Sequence, residues 1–360
     1  MTRALEAARR HTLQILLRMP AGVLRRVAGR PVEIEGNVLD PEMQLILALQ
    51  KVEGRPFEER PIPEGRRVLL SSSRVVGGNL PIGAVTDRDI DGPAGPLRLR
   101  IYTPRGLTTT SPALFFIHGG GWVYCDLDSH DAVCRFLAER AGVRVVAVDY
   151  RLAPESPFPA AVHDVEAAYS FVTANAAGLG IDPDRIAVGG DSAGGNLAAV
   201  LAQRAAHGEL GVPPAFQLLI YPAVDFAVKR PSRATFSTNF FLTKRFMDVA
   251  DESYVPVGAD RTDPLLSPIY GDLTGLPPAY LVTAGFDPLR DEGEAYAEKL
   301  RDAGVEVQYV LEPGLIHSFA NMVDVGRSGP EAMGRAAAAL RRALSTPPSV
   351  PREHREHPVD

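Results

Sequence analysis

Short apolar runs alternate with longer stretches of helical period along most of this chain. Ala113–Ile117, Val143–Val148, Arg185–Val188, Phe216–Ile220, Ala279–Val282 and Val305–Leu311 are too short for helices and read as strands. Helical patterns lie between or after them, near His130–Ala141, Ala160–Ala174, Ser192–Ala206, Leu289–Ala303 and Pro330–Leu344. Upstream, Ala84–Ile90 and Leu97–Tyr102 flank the turn signal Asp91-Gly92 and read as a hairpin. Strands alternating with helices predict an α/β fold, a mostly parallel sheet with helices on both faces. The hairpin adds antiparallel strands at one edge. No internal repeat is visible.

Three segments break this rhythm. Residues 1 to about 55 read as helical and irregular. Their first part sets Arg3, Arg9, Arg10, Arg18, Arg25, Arg26 and Arg30 against Glu6, with an apolar face from Leu5, Ile15, Leu16, Leu17, Met19, Val23, Leu24 and Val27. A helix lying on the protein body is expected there; the alternative is a surface touching a membrane or a second subunit. Asp225–Gly271 is too long for a simple crossover and carries Phe226, Phe236, Phe240, Phe241, Phe246 and Tyr254 among polar residues. Such an excursion is expected to be a lid or functional insertion. The Pro-rich, charged tail from Thr346 to Asp360 is expected to be disordered. The resulting division is 1–55, 56–224, 225–271, 272–345 and 346–360, with 56–224 and 272–345 as two parts of one catalytic domain.

Composition narrows the function classes. At 360 residues and 45% hydrophobic content this is an ordinary globular chain, and its longest apolar runs are far too short to span a bilayer. A formal charge of -6 argues against a nucleic-acid partner. Two cysteines, Cys125 and Cys134, make no disulfide framework and are expected to be reduced. The N-terminus lacks a continuous apolar core followed by a small-residue cleavage site, so a cytoplasmic location is expected.

The candidate chemistry starts at Gly190-Asp191-Ser192-Ala193-Gly194, between a strand and an Ala-rich helix. Glycines two positions either side of a serine allow a turn too sharp for side chains there, a nucleophile elbow. The following helix turns its unbonded N–H groups toward developing negative charge. Serine chemistry then needs a base, a carboxylate to orient it, and N–H donors for an oxyanion. His317 follows the last core strand and a turn at Glu312-Pro313-Gly314, on a loop where a base belongs. The other histidines fit worse: His130, His163 and His207 fall at or within helical patterns, and His11, His354 and His357 near the ends. On a sheet of this kind the carboxylate lies between serine and histidine in chain order. Asp287 follows the strand Ala279–Val282 and is favoured, although it would also serve as a helix N-cap; Asp291, one helical turn further on, is the rival. Oxyanion donors are expected from Ala193 and from Gly119-Gly120-Gly121, which follow Leu114-Phe115-Phe116-Ile117.

With these residues in place, the chain resembles the hormone-sensitive-lipase-like branch of the α/β-hydrolases, its bacterial carboxylesterases in particular. The pieces that carry the resemblance are His118-Gly119-Gly120-Gly121-Trp122, Asp149-Tyr150-Arg151-Leu152-Ala153-Pro154-Glu155, Gly190-Asp191-Ser192-Ala193-Gly194-Gly195-Asn196, Asp287-Pro288-Leu289-Arg290-Asp291-Glu292 and His317-Ser318-Phe319, in the family's order. Asp191 places it with the family's GDSAG subgroup. The resemblance implies an eight-stranded sheet and a cap built from the N-terminal helices and the 225–271 insertion. It also implies an oxyanion hole from Ala193 and some of Gly119, Gly120 and Gly121, and a homodimer through the last strand and its neighbouring helix. Two positions depart from it: Cys125 and Ser318 stand where the family usually has glycine.

The expected activity is hydrolysis of short- to medium-chain carboxylic esters by Ser192, His317 and Asp287, with a small-molecule ester as partner and no metal or cofactor. An amide or carbamate hydrolase or a deacetylase would use the same triad. The gibberellin receptors of plants look like this family without the catalytic histidine and bind a small molecule under the cap. His317 and its flanking residues favour the enzyme.

Overall fold

The apolar alternation of the central strands decides the architecture. In Leu114-Phe115-Phe116-Ile117, Phe115 and Ile117 enter one apolar cluster while Leu114 and Phe116 enter another. Successive side chains of a strand point to opposite faces, so a strand apolar at every position must be covered on both.

The computed structural model describes residues 3–52 and 54–345. The tail expected to be disordered lies outside the described residues. Four helices precede the main sheet: α1 (Arg3–Leu17), α2 (Ala21–Ala28), α3 (Pro41–Val52) and α4 (Ile62–Gly77). A two-residue-strand hairpin, β1 (Glu33–Ile34) with β2 (Asn37–Val38), lies between α2 and α3. No element was expected over α4. Pro61, Pro63 and Gly65 mask its start, yet a proline in the first helical turn loses no intrahelical bond.

The antiparallel hairpin β3 (Ala84–Gly92) and β4 (Gly95–Thr103) opens the sheet. Then come β5 (Ser111–Ile117), α5 (Asp131–Ala141), β6 (Arg144–Val148), α6 (Ala160–Ala174), β7 (Ile181–Asp191), α7 (Ala193–Ala206) and β8 (Phe216–Ile220). The insertion holds α8 (Pro231–Thr235) and α9 (Lys244–Tyr254), and the chain closes with β9 (Ala279–Phe286), α10 (Arg290–Asp302), β10 (Val307–Ile316) and α11 (Ser328–Ser345). The eight strands run in the order β10-β9-β8-β7-β5-β6-β4-β3. From β6 to β10 every pairing is parallel; β4 meets β6 antiparallel.

One apolar cluster packs Phe115, Val188 and Leu219 against Val172 of α6, Leu197 of α7 and Tyr296 of α10. The other packs Phe116, Leu218 and Val282 against Leu137 of α5, Leu340 of α11 and Ile46 of α3. After β5 the chain moves to β6 on one side and then to β7 on the other. Sheets of this kind bind ligands at the carboxyl ends of strands where the order reverses, here β5 and β7. Ile117 pairs with Gly190 at that point, which brings the Gly119–Gly121 loop beside the elbow.

One expectation is corrected. Glu312-Pro313-Gly314 does not end the last strand; β10 continues through it to Ile316, with its register shifted between Glu312 and Ile316. β10 is an edge strand, where a proline costs no ladder bond on its open side. The irregular stretch is held by the Asp40 N–H, which donates to the Gly314 carbonyl at 2.9 Å.

Candidate active site

Three strand ends converge. β7 ends at the elbow, where Ser192 has φ 54° and ψ -117°, a conformation that L-residues avoid without surrounding support. The support is backbone on every side. A Cβ on either Gly190 or Gly194 would run into the Ile117 carbonyl oxygen. The Ser192 N–H donates to the Ile220 carbonyl at 2.9 Å, and its carbonyl accepts from Asn196 and Ala223. Asn196 donates to the carbonyls of Ala223 and Leu266, tying α7 to both ends of the insertion.

β9 delivers Asp287 and β10 delivers His317. His317 Nδ1 lies 2.8 Å from Asp287 Oδ2, and its Nε2 lies 2.9 Å from Ser192 Oγ. The second Asp287 oxygen accepts the Leu289 N–H at 2.9 Å, which fixes the carboxylate plane. Asp287 and His317 are buried, while Ser192 keeps 9% of its surface. Asp291 is turned elsewhere, accepting the Ser232 N–H and pairing with Arg290. Ser318 has φ 69°, the left-handed region in which glycine costs least. Cys125 likewise has a left-handed backbone, with φ 71°.

The glycine loop divides by role. The Gly119 N–H donates to Asp191 Oδ1 at 2.9 Å and is therefore already engaged. Among the described residues, the N–H groups of Gly120 and Gly121 meet no intramolecular acceptor. Ala193 is the first residue of α7, so its N–H has no intrahelical acceptor either. Gly120 has φ 115°, and a Cβ there would strike the Tyr124 carbonyl.

Beneath this loop lies a buried layer that sequence reasoning missed. His130 Nε2 sits 3.1 Å from Asp191 Oδ1. Burial alone would lower the His130 pKa, but the Asp191 carboxylate outweighs it and pushes it up to about 10. Burial would likewise raise Asp191, yet the His130 charge and the Gly119 N–H hold it below its ordinary value. His118 goes the other way, lowered by burial and then by the adjacent His130 charge. Its ring stacks on Tyr150 at 4.3 Å, and the Tyr150 hydroxyl donates to the His118 carbonyl. The available signal was Asp191 itself, an acid beside the serine with no role in the relay.

Two clefts meet at Ser192. One is lined by Trp122, Phe226, Leu242, Phe246, Leu289 and Glu292 and holds about 40 Å³. The other runs past His317, Cys125 and Met322 toward α3 and α4 and holds about 60 Å³. Trp122 stacks on Tyr254 of α9 with centroids 4.6 Å apart, so the insertion roofs the first cleft. Phe246 meets Phe57 and Tyr124 edge-on, and the Thr243 hydroxyl donates to Glu58, which joins the insertion to the stretch just before α4. Burial pushes Glu292 up to about 7, partly offset by Arg233.

Residues 114–321 match a family model described as alpha/beta hydrolase fold. The chain is 42% identical over 327 residues to the carboxylic ester hydrolase LipN of Mycobacterium tuberculosis (strain ATCC 25618 / H37Rv), covering 88% of this chain and 86% of that one. It is 37% identical over 318 residues to an ethyl acetate hydrolase of Pseudomonas putida, covering 85% of this chain and 99% of that one. Among solved structures, a hyperthermophilic esterase from the archaeon Pyrobaculum calidifontis superposes with a TM-score of 0.81 at 40% identity, covering 84% of this chain and 98% of that one.

Proposed function

The chain belongs to the α/β-hydrolase family, in its hormone-sensitive-lipase-like branch of carboxylesterases, and on that premise we propose that Ser192, His317 and Asp287 are its catalytic triad. The observation that carries the assignment is the relay of 2.9 and 2.8 Å linking the three side chains. Ser192 Oγ attacks the ester carbonyl carbon as its proton passes to His317 Nε2. The N–H groups of Gly120, Gly121 and Ala193 receive the oxyanion. The tetrahedral intermediate expels the alcohol, which takes the proton from Nε2, and water then hydrolyses the acyl-enzyme by the same route. Asp287 holds the Nδ1–H tautomer and stabilises the imidazolium.

The protein is a serine carboxylesterase acting on small-molecule esters. Short to medium acyl groups, a cytoplasmic location and a homodimer through β10 and α11 belong to the same proposal. So does a cap formed by residues 1–55 and 225–271 over a body of 56–224 and 272–345. Its support is that Ile46 and Gln50 of the first segment and Phe226, Leu242 and Phe246 of the insertion line the clefts at Ser192. The test is turnover of p-nitrophenyl acetate together with labelling by a fluorophosphonate. Ser192→Ala is expected to lose several orders of magnitude in turnover and all labelling. Retained hydrolysis in that variant would overturn the assignment.

A further inference from the structure

A third cavity, of about 360 Å³, lies between α1, α3 and α4. Its volume is in the range of small-molecule sites, whereas the two clefts at Ser192 are several times smaller. Ile46, Gln50, Ser72 and Val76 line both this cavity and the cleft that contains His317. None of its lining residues reaches the cleft under α9. On the α1 side it is walled by Leu13 and Leu16, so the basic N-terminal helix forms one wall of a solvent-open apolar groove next to the catalytic centre.

The position of His317 decides which half of an ester would enter. His317 Nε2 must return its proton to the leaving alcohol oxygen, so the alcohol lies on the His317 side of Ser192. The cleft that joins the α1 cavity is lined by His317, and the aromatic cleft under α9 is not. We propose that the α1 cavity is the alcohol-binding site for esters of long apolar alcohols, and that the cleft under α9 takes a short acyl group. This rests on the triad reading given above. Substrate choice is then set on two separate elements: the insertion limits the acid, and α1 with α3 and α4 accommodates the alcohol.

The test uses the full chain and three esters: ethyl acetate, octyl acetate and ethyl octanoate. The last two are isomers, so overall hydrophobicity does not separate them. The expected result is a kcat/KM for octyl acetate above that for ethyl octanoate by about tenfold or more, since each buried methylene is worth roughly fourfold. Thr12 lines the cavity from the exposed side of α1, where a larger side chain is compatible with folding. Thr12→Trp is expected to lower the ratio of octyl acetate to ethyl acetate kcat/KM by about tenfold. Thr12→Ala is expected to keep that ratio at or above its wild-type value. Equal rates for the two isomers, or a ratio unmoved in Thr12→Trp, overturn the proposal. An effect of Thr12→Trp on ethyl octanoate instead would assign the cavity to the acyl chain and also overturn it. Failure to hydrolyse any of the three esters would remove the esterase reading itself, a separate result.

Discussion

Replacing Asp191 by asparagine should cost this protein stability in a strongly pH-dependent way, although Asp191 is not one of the three side chains of the relay. The carboxylate is buried and holds two partners, the Gly119 N–H at 2.9 Å and His130 Nε2 at 3.1 Å. Asparagine can keep the first through its carbonyl oxygen but leaves His130 without its counter-charge. The folded His130 pKa is raised from 6.5 to about 10. A raised basic group stabilises the fold fully below its unfolded pKa, and that contribution fades as pH climbs through the folded value. The shift corresponds to an upper bound on the order of 5 kcal/mol. Breaking a buried pair by removing one partner costs about 3–5 kcal/mol, which agrees. Asp191→Asn is therefore expected to lose about 3–5 kcal/mol near pH 6, a deficit that narrows between pH 6.5 and 10. Urea unfolding followed by fluorescence measures it. Trp122 is the single tryptophan and is buried against Tyr254, so its emission reports this region directly. A variant within about 1 kcal/mol of wild type at pH 6, or a deficit that stays constant to pH 10, would refute the ion-pair account.

Three further outcomes follow from the geometry. Gly194→Ala places a methyl group against the carbonyl oxygens of Ile117 and His118, both backbone, so loss of activity and of soluble yield is expected; an active, well-expressed variant would contradict the elbow geometry. Glu292, raised from 4.5 to about 7, keeps its proton in the fold while the unfolded chain has lost it. Stability should therefore fall as pH rises from 4.5 to 7, by an amount on the order of 3 kcal/mol, and urea midpoints of Glu292→Gln should be flatter across that window. His317→Ala should lower the esterase rate by several orders of magnitude, because Nε2 takes the Ser192 proton, and a variant that keeps its rate would contradict the role of His317 as base.

Legibility in the sequence followed burial. Strands β5, β8 and β9 are covered on both faces, and largely apolar runs marked them with little ambiguity. Edge elements were harder. In β10, Glu312-Pro313-Gly314 has the composition of a turn, and only the open edge beside it allows the strand to continue. Helix α4 was hidden because prolines and a glycine at its start are also loop residues. Both errors arise where local composition fits two structures and a tertiary neighbour chooses between them.

The site divides along the same line. Ser192, Asp287 and His317 could be read because each follows a strand whose pattern is plain, and strand ends at a sheet's carboxyl edge are forced together by the topology. The Asp191–His130 pair could not. His130 stands at the N-terminus of α5, far from Asp191 in sequence, and its helical context resembles that of any capping residue. What couples them is the desolvation of both groups beneath the Gly119 loop, a property of the closed fold rather than of either segment. The same reasoning applies to specificity. The residues that size the two clefts come from α3, α4, α9 and the loop after β5, and their meeting depends on contacts such as Phe246 with Phe57. Reaction chemistry is thus carried by the sheet, which periodicity reveals, and substrate choice by helices packed over it, which periodicity alone does not place.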